Sequence, residues 1–219
     1  MADRDTKSPR ERYRAQVRTE IKQRAWEQIA TAGASALSLN AIAKQMGMSG
    51  PALYRYFGGR DELITELVRD AYRSLADTFR AAGEAGADVT ALAHALRGWA
   101  LSDPQRYFLV YGTPVPGYHA PDDITAIASE IMATLLDACA RLPSDLPATA
   151  FDAHLEGRGA DWADGRSVPP AALRRALSFW TRLHGVLSLE LAGHFTGMGL
   201  DPALLFAAEL DALAGPSAD

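Results

Sequence analysis

The chain has 219 residues, 48% of them apolar, and a formal net charge of −5. That composition supports a packed core and excludes a disordered chain. One cysteine, Cys139, excludes an intrachain disulfide and fits a reducing compartment. The charge is unevenly placed. Residues 1–60 carry 11 basic and 5 acidic side chains, while residues 61–219 carry 11 basic and 22 acidic ones. A basic head on an acidic body is expected where only the head meets a polyanion, although a charged tail that binds nothing has the same signature. The opening residues lack the apolar stretch of a signal peptide, and the uncharged run Tyr107 to Pro121 is broken by Gly112, Pro114, Pro116 and Gly117. A cytoplasmic protein without a membrane span is the expectation.

Strand patterns are nearly absent and helical ones recur, so the fold expected is all-α with about nine helices. Val17, Ile21, Ala25 and Ile29 line one side of a helix over 14–33 that Gly33 ends. Ser38 caps a short helix bearing Leu39, Ile42, Ala43 and Met46, stopped by Gly47. Ser49 caps the next, with Pro51 in its first turn and its end at Phe57 before Gly58-Gly59. Leu63, Leu67, Ala71, Leu75 and Phe79 stripe a longer helix over 60–82. Helices follow over 88–101, over 104–111 behind the Asp103-Pro104 cap, and over 122–141. Residues 143–169, rich in Pro, Gly and Asp, read as a long loop that a short helix near 148–156 interrupts. A long helix over 170–194 and a last one from Asp201-Pro202 to about Ala214 complete the chain.

Residues 38–57 carry the strongest signal. Two short helices joined by Gly47-Met48-Ser49 have the layout of a helix-turn-helix, whose second helix enters the major groove. Small residues at its start, Ser49, Gly50 and Ala52, permit close approach to bases, and Tyr54, Arg55 and Tyr56 reach phosphates and base edges. The candidate DNA-contacting set is Ser38, Asn40, Ser49, Gly50, Ala52, Tyr54, Arg55, Tyr56 and Arg60.

The stretch Leu39-Asn40-Ala41-Ile42-Ala43 through Gly47 to Phe57, with Arg60 and Leu63, resembles the N-terminal domain of TetR-family regulators. Its hallmark is Leu-Tyr-x-Tyr-Phe, here Leu53 to Phe57, with a basic residue shortly after. The resemblance covers residues 14–65 and implies that Tyr54 contacts phosphate and that Arg60 anchors the fourth helix on the DNA backbone. Lysine is frequent there in the family; a guanidinium suits a phosphate equally. Trp180-Thr181-Arg182-Leu183-His184-Gly185 resembles the Trp-x-x-x-His-Gly signature of one C-terminal subclass, and Tyr107 to Pro121 looks like the same subclass. The resemblance implies a helix-turn-helix domain over 14–62, a ligand-binding and dimerisation domain over 63–219, and a homodimer on a double-stranded, inverted-repeat operator.

On the helix over 170–194, Ser178, Thr181, Gly185, Ser188 and Ala192 form a small-residue stripe. Small side chains let two helices approach closely, so this stripe, with Phe206 and Leu210, is the expected dimer interface; a central core helix is the alternative. Trp99, Tyr107, Phe108, Tyr111, Met132, Leu135, Trp180 and His184 could line a pocket for a small, mostly apolar effector, or simply form core. No catalytic motif is present, and the five histidines are scattered, so neither an enzyme site, a metal nor a cofactor is expected. Other readings remain beside a ligand-responsive repressor: an activator or a ligand-independent regulator of the same kind, a helical small-molecule carrier that does not read DNA, and an enzyme on a helical scaffold.

Overall fold

The computed structural model describes residues 8–112, 118–143, 147–156 and 167–214. These form ten α-helices and a single 3-10 turn, with no strand among the described residues. The chain folds as two units that divide between Arg69 and Asp70.

The first unit opens with α1 (Pro9–Ala32), which starts five residues before the expected position. Its start is set by a capping box: the Ser8 hydroxyl accepts from Glu11 N–H while the Glu11 carboxylate accepts from Ser8 N–H, and Pro9 occupies the first turn. Val17, Ile21, Ala25 and Ile29 are its buried stripe, as their spacing predicts. Gly33, at φ 78°, ends it, and a 3-10 turn (Ala34–Ala36) leads to α2 (Leu39–Gln45). Ser38 caps α2 by accepting from Ala41 N–H at 3.3 Å, and its own N–H is held by Gln28 Oε1 at 3.0 Å. Gly47, at φ 65°, makes the turn into α3 (Gly50–Leu53), which Ser49 caps. Its helical part stops at Leu53; Tyr54 to Tyr56 continue as turn rather than as the longer helix expected to Phe57. Leu53 and Phe57 are nonetheless fully buried with Ile42 and Leu63.

α4 (Arg60–Glu84) begins in the first unit and carries the chain into the second. There α5 (Val89–Ser102), α6 (Pro104–Tyr111), α7 (Asp122–Ala140), α8 (Ala150–Leu155), α9 (Pro170–Leu191) and α10 (Pro202–Ala214) follow. Asp88, Asp103 and Thr149 cap α5, α6 and α8 through their side chains. Helix α9 is the hub, packing on α5, α6, α7, α8 and α10. It ends at Leu191, three residues short of the expected end, before Gly193 at φ 76°. A bidentate ion pair, Arg97 to Glu190, ties α5 to α9, with Nη2 to Oε1 at 2.8 Å and the guanidinium 5.1 Å from the Phe206 ring. Within the expected loop over 143–169, residues 144–146 and 157–166 lie outside the described residues, as do 113–117 in the segment from Tyr107 to Pro121. No described helix is long and apolar enough to cross a membrane.

Candidate functional site

In the first unit, α2 and the α3 segment pack on each other around Ile42, Ala43 and Leu53. Burying these three leaves Asn40, Ser49, Tyr54 and Arg55 exposed and Gly50, Ala52 and Tyr56 half-buried. Tyr54 is 48% exposed, far from what packing demands of an aromatic ring in a core. A Cβ on Gly50 would lie 3.5 Å from Asn40 Oδ1, an ordinary contact that puts the two expected DNA-contacting positions side by side.

Two arginines of α1 hold the turn after α3. Arg14 Nη2 donates to the Arg55 carbonyl at 3.2 Å. Arg18 donates to the Tyr56 carbonyl, lies over the Phe57 ring at 4.1 Å, and meets Glu66 at 3.5 Å. Neither was in the candidate set. The pattern that could have found them is basic residues four apart on α1 on the face of its apolar stripe, Arg14 and Arg18 each standing three residues before Val17 and Ile21. A cleft of about 320 Å³ lies beside them, lined by Arg10, Tyr13, Arg14, Met48, Ala52, Arg55 and Tyr56. Arg60 is turned elsewhere: its Nη2 donates to the carbonyls of Ala34 at 2.9 Å and Ser35 at 3.2 Å. It braces the connection between α1 and α2. Ser38 and Ser49, also in the set, spend their hydroxyl oxygens on capping.

In the second unit the expected ligand-lining residues do meet, but they do not share one role. Trp99, Tyr107 and Leu135 are buried members of the core. The Trp99 indole N–H donates to Ser74 Oγ at 3.2 Å. The Tyr107 hydroxyl lies 3.0 Å from His184 Nδ1, 3.2 Å from the His184 carbonyl and 2.8 Å from Ser188 Oγ, so its hydrogen bonding is complete. Phe108, Tyr111, Met132 and Trp180 are only half-buried against that core. Tyr111 and Trp180 each stand 4.4 Å from the His184 ring, centre to centre, and 5.8 Å from each other. Within this knot the Tyr111 hydroxyl and His184 Nε2 are buried and meet no hydrogen-bonding partner among the described residues. Native structures rarely leave such atoms unsatisfied.

Burial holds the Tyr111 phenol up and drives the His184 imidazole down to about 4, so both are uncharged at pH 7. An unfolded histidine titrates near 6.5. The folded state therefore takes up the proton less readily, and stability present above about pH 6.5 is lost as pH falls toward 4. At pH 5 the expected loss is about 2 kcal/mol. Thermal melts between pH 7 and 5 check this: the wild type should lose melting temperature there, and His184→Gln should flatten that part of the curve.

On α9, Thr181, Gly185, Leu189 and Ala192 run along one side; Thr181, Gly185 and Leu189 are exposed, Ala192 is exposed just past the helix end, and a Cβ on Gly185 would meet nothing within 4 Å. The small-residue stripe thus faces outward at its centre. Ser188, expected in the same stripe, instead turns inward to Tyr107. Phe206 and Leu210, expected in the same interface, are instead buried inside their own chain, Phe206 beneath the Arg97 guanidinium. Leu204, on the other side of α10, is 71% exposed. Among the described residues no group of three or more His, Cys, Asp or Glu could hold a metal ion.

Residues 21–67 match the family described as bacterial regulatory proteins, tetR family, and residues 89–213 match the tetracyclin repressor-like C-terminal domain. The HTH-type transcriptional regulators Rv1816 of Mycobacterium tuberculosis and Mb1846 of Mycobacterium bovis are each 37% identical over 212 residues, 90% of either chain. The crystal structure designated as regulatory protein SCO4313 is 73% identical and superposes with a TM-score of 0.88, covering 95% of this chain and all of that one. The TetR-family transcriptional regulator PfmR of Thermus thermophilus, 18% identical, has a TM-score of 0.55 over 91% of this chain and 99% of its own, a likeness of fold alone.

Proposed function

The chain belongs to the TetR family of helix-turn-helix transcriptional regulators, and from that premise we propose that it is a cytoplasmic, homodimeric repressor released from a palindromic operator by a small, mostly apolar effector. The observation that carries the effector part is the buried Tyr111 hydroxyl and His184 Nε2, two polar atoms inside a ring cluster that no group among the described residues satisfies. A site of half-buried aromatics with few polar groups is what small-molecule pockets are made of. The exposed Ser49, Tyr54 and Arg55 support reading of the major groove, with half-sites about one helical turn, roughly 34 Å, apart. An activator would share every one of these features.

The mechanism proposed is a population shift. An effector changes operator affinity only if it binds the DNA-incompetent arrangement more tightly. α4, which carries the chain from one unit to the other, is the element through which the change passes. An effector should raise the melting temperature and lower operator affinity together. Trp180→Ala should blunt both by removing one wall of the ring cluster. Gel shifts on the region upstream of the protein's own coding sequence, with and without effector, test the reading. Effectors that stabilise the protein and leave operator affinity unchanged would overturn it.

A further inference from the structure

We propose that the cluster at Tyr111 and His184 receives an uncharged aromatic molecule carrying one hydroxyl or carbonyl oxygen, with that oxygen bonded by the Tyr111 hydroxyl and His184 Nε2. The inference rests on the effector reading above and names the chemistry of the ligand.

Three observations narrow the class. The first is shape. Tyr111, Trp180 and His184 present flat faces and edges within 4.4–5.8 Å of one another, which a planar ring system can join by stacking or edge contact. The second is hydrogen bonding. His184 Nδ1 is already engaged by the Tyr107 hydroxyl, so Nε2 is the ring nitrogen left for a guest. A pure hydrocarbon would leave both Nε2 and the Tyr111 hydroxyl without partners, at the cost attached to buried unsatisfied groups. One ligand oxygen satisfies both: a hydroxyl can accept from one group and donate to the other, and a carbonyl can accept from the Tyr111 O–H and from a protonated Nε2.

The third is charge. Among the described residues, three arginines on the helices around the cluster are committed to carboxylates. Arg97 is held bidentately by Glu190. Arg106 is shared between Asp103 and Ser74. Arg73 is held by both oxygens of Glu130. His184 itself is uncharged, because burial disfavours the imidazolium. A carboxylate or phosphate entering the cluster would find these three cations already paired, and an unpaired buried anion is strongly disfavoured.

Calorimetry on the full chain at pH 7 with 2-naphthol and 2-naphthoate tests the charge and the hydrogen bond together. The same ring system carries a neutral hydroxyl in one and an anion in the other. The wild type should bind 2-naphthol at least tenfold more tightly than 2-naphthoate. Tyr111→Phe should weaken 2-naphthol about tenfold and leave 2-naphthoate unchanged. The same variant, free of ligand, should melt about 2–4 °C higher, because it sheds an unsatisfied buried hydroxyl. A residue with a merely structural role would not raise stability while lowering affinity. Equal or tighter binding of 2-naphthoate, unchanged 2-naphthol affinity in Tyr111→Phe, or binding of neither probe would overturn the inference. If 2-naphthol binds as described and operator affinity does not fall, the ligand chemistry stands and the effector reading fails. If a charged molecule releases the operator while 2-naphthol does not bind, the effector reading stands and the inference fails.

Discussion

Gly185→Leu should convert the protein from dimer to monomer in a sedimentation experiment at micromolar concentration. The residue sits on the exposed side of α9, in line with Thr181, Leu189 and Ala192. Inside its own chain a side chain there meets nothing, so leucine adds no clash to the folded subunit. The intrinsic preference of the helix moves the same way: glycine is about 0.8–1 kcal/mol worse than alanine in a helix interior, and leucine is close to alanine. The variant subunit should therefore be at least as helical by circular dichroism as the wild type. What leucine obstructs is the approach of a second helix, because close-packed axes need small residues at the crossing. A Gly185→Leu protein that stays dimeric would place the interface elsewhere. A wild type that is monomeric at the same concentration would remove the dimer altogether.

The inward and outward faces of α9 explain which parts of the architecture were legible beforehand. Periodicity found the buried stripe of α1 and the starts of α6, α7 and α9, because prolines and aspartates mark helix starts locally. The early start of α1 is equally local, written in Ser8-Pro9-Arg10-Glu11, but it lies ahead of the apolar pattern, which begins only at Val17. The end of α3 was not local. The apolar pair Leu53 and Phe57 fits one turn of helix, yet the chain leaves the helix after Leu53 and still buries Phe57, with the turn fastened by Arg14 and Arg18 from about forty residues away.

Side-chain direction was harder to read than helix position. Ser188 and Gly185 both belong to a line of small residues, and only the hydroxyl of Tyr107 decides that Ser188 points in. Phe206 and Leu210 look like interface residues on an isolated helix, but α9 and α5 of the same chain already cover them. Tyr107, Tyr111 and His184 could be grouped by sequence as aromatics with polar tips. That the first is satisfied and the others retain an unpaired atom is a matter of ångströms, set by how α6 meets α9.

Arg55→Ala should weaken binding to operator and to unrelated DNA alike, by about tenfold at moderate salt, and should reduce the slope of log affinity against log salt by about 1. The argument begins with position. The Arg55 backbone is held by Arg14, so removing the side chain leaves the turn fastened. Its side chain is exposed beside Tyr54 on the reading segment. A cation there neutralises a phosphate, and phosphate contacts carry no base information. Tyr54→Phe should act in the same sense without changing the salt slope, since it removes a hydrogen bond but no charge. Gly50→Ala is the contrasting case. Its new methyl sits at ordinary contact distance from Asn40, so the fold accommodates it, and Gly50 is not at positive φ. The methyl should instead crowd a base edge and reorder the ranking of operator variants, by about 1–3 kcal/mol at the affected base pair. Gel shifts with operator and scrambled duplexes across a salt series separate the two behaviours. An Arg55→Ala protein that loses operator binding but keeps its affinity for scrambled DNA would make Arg55 a base reader, and a Gly50→Ala protein with unchanged ranking would move the reading face away from the start of α3.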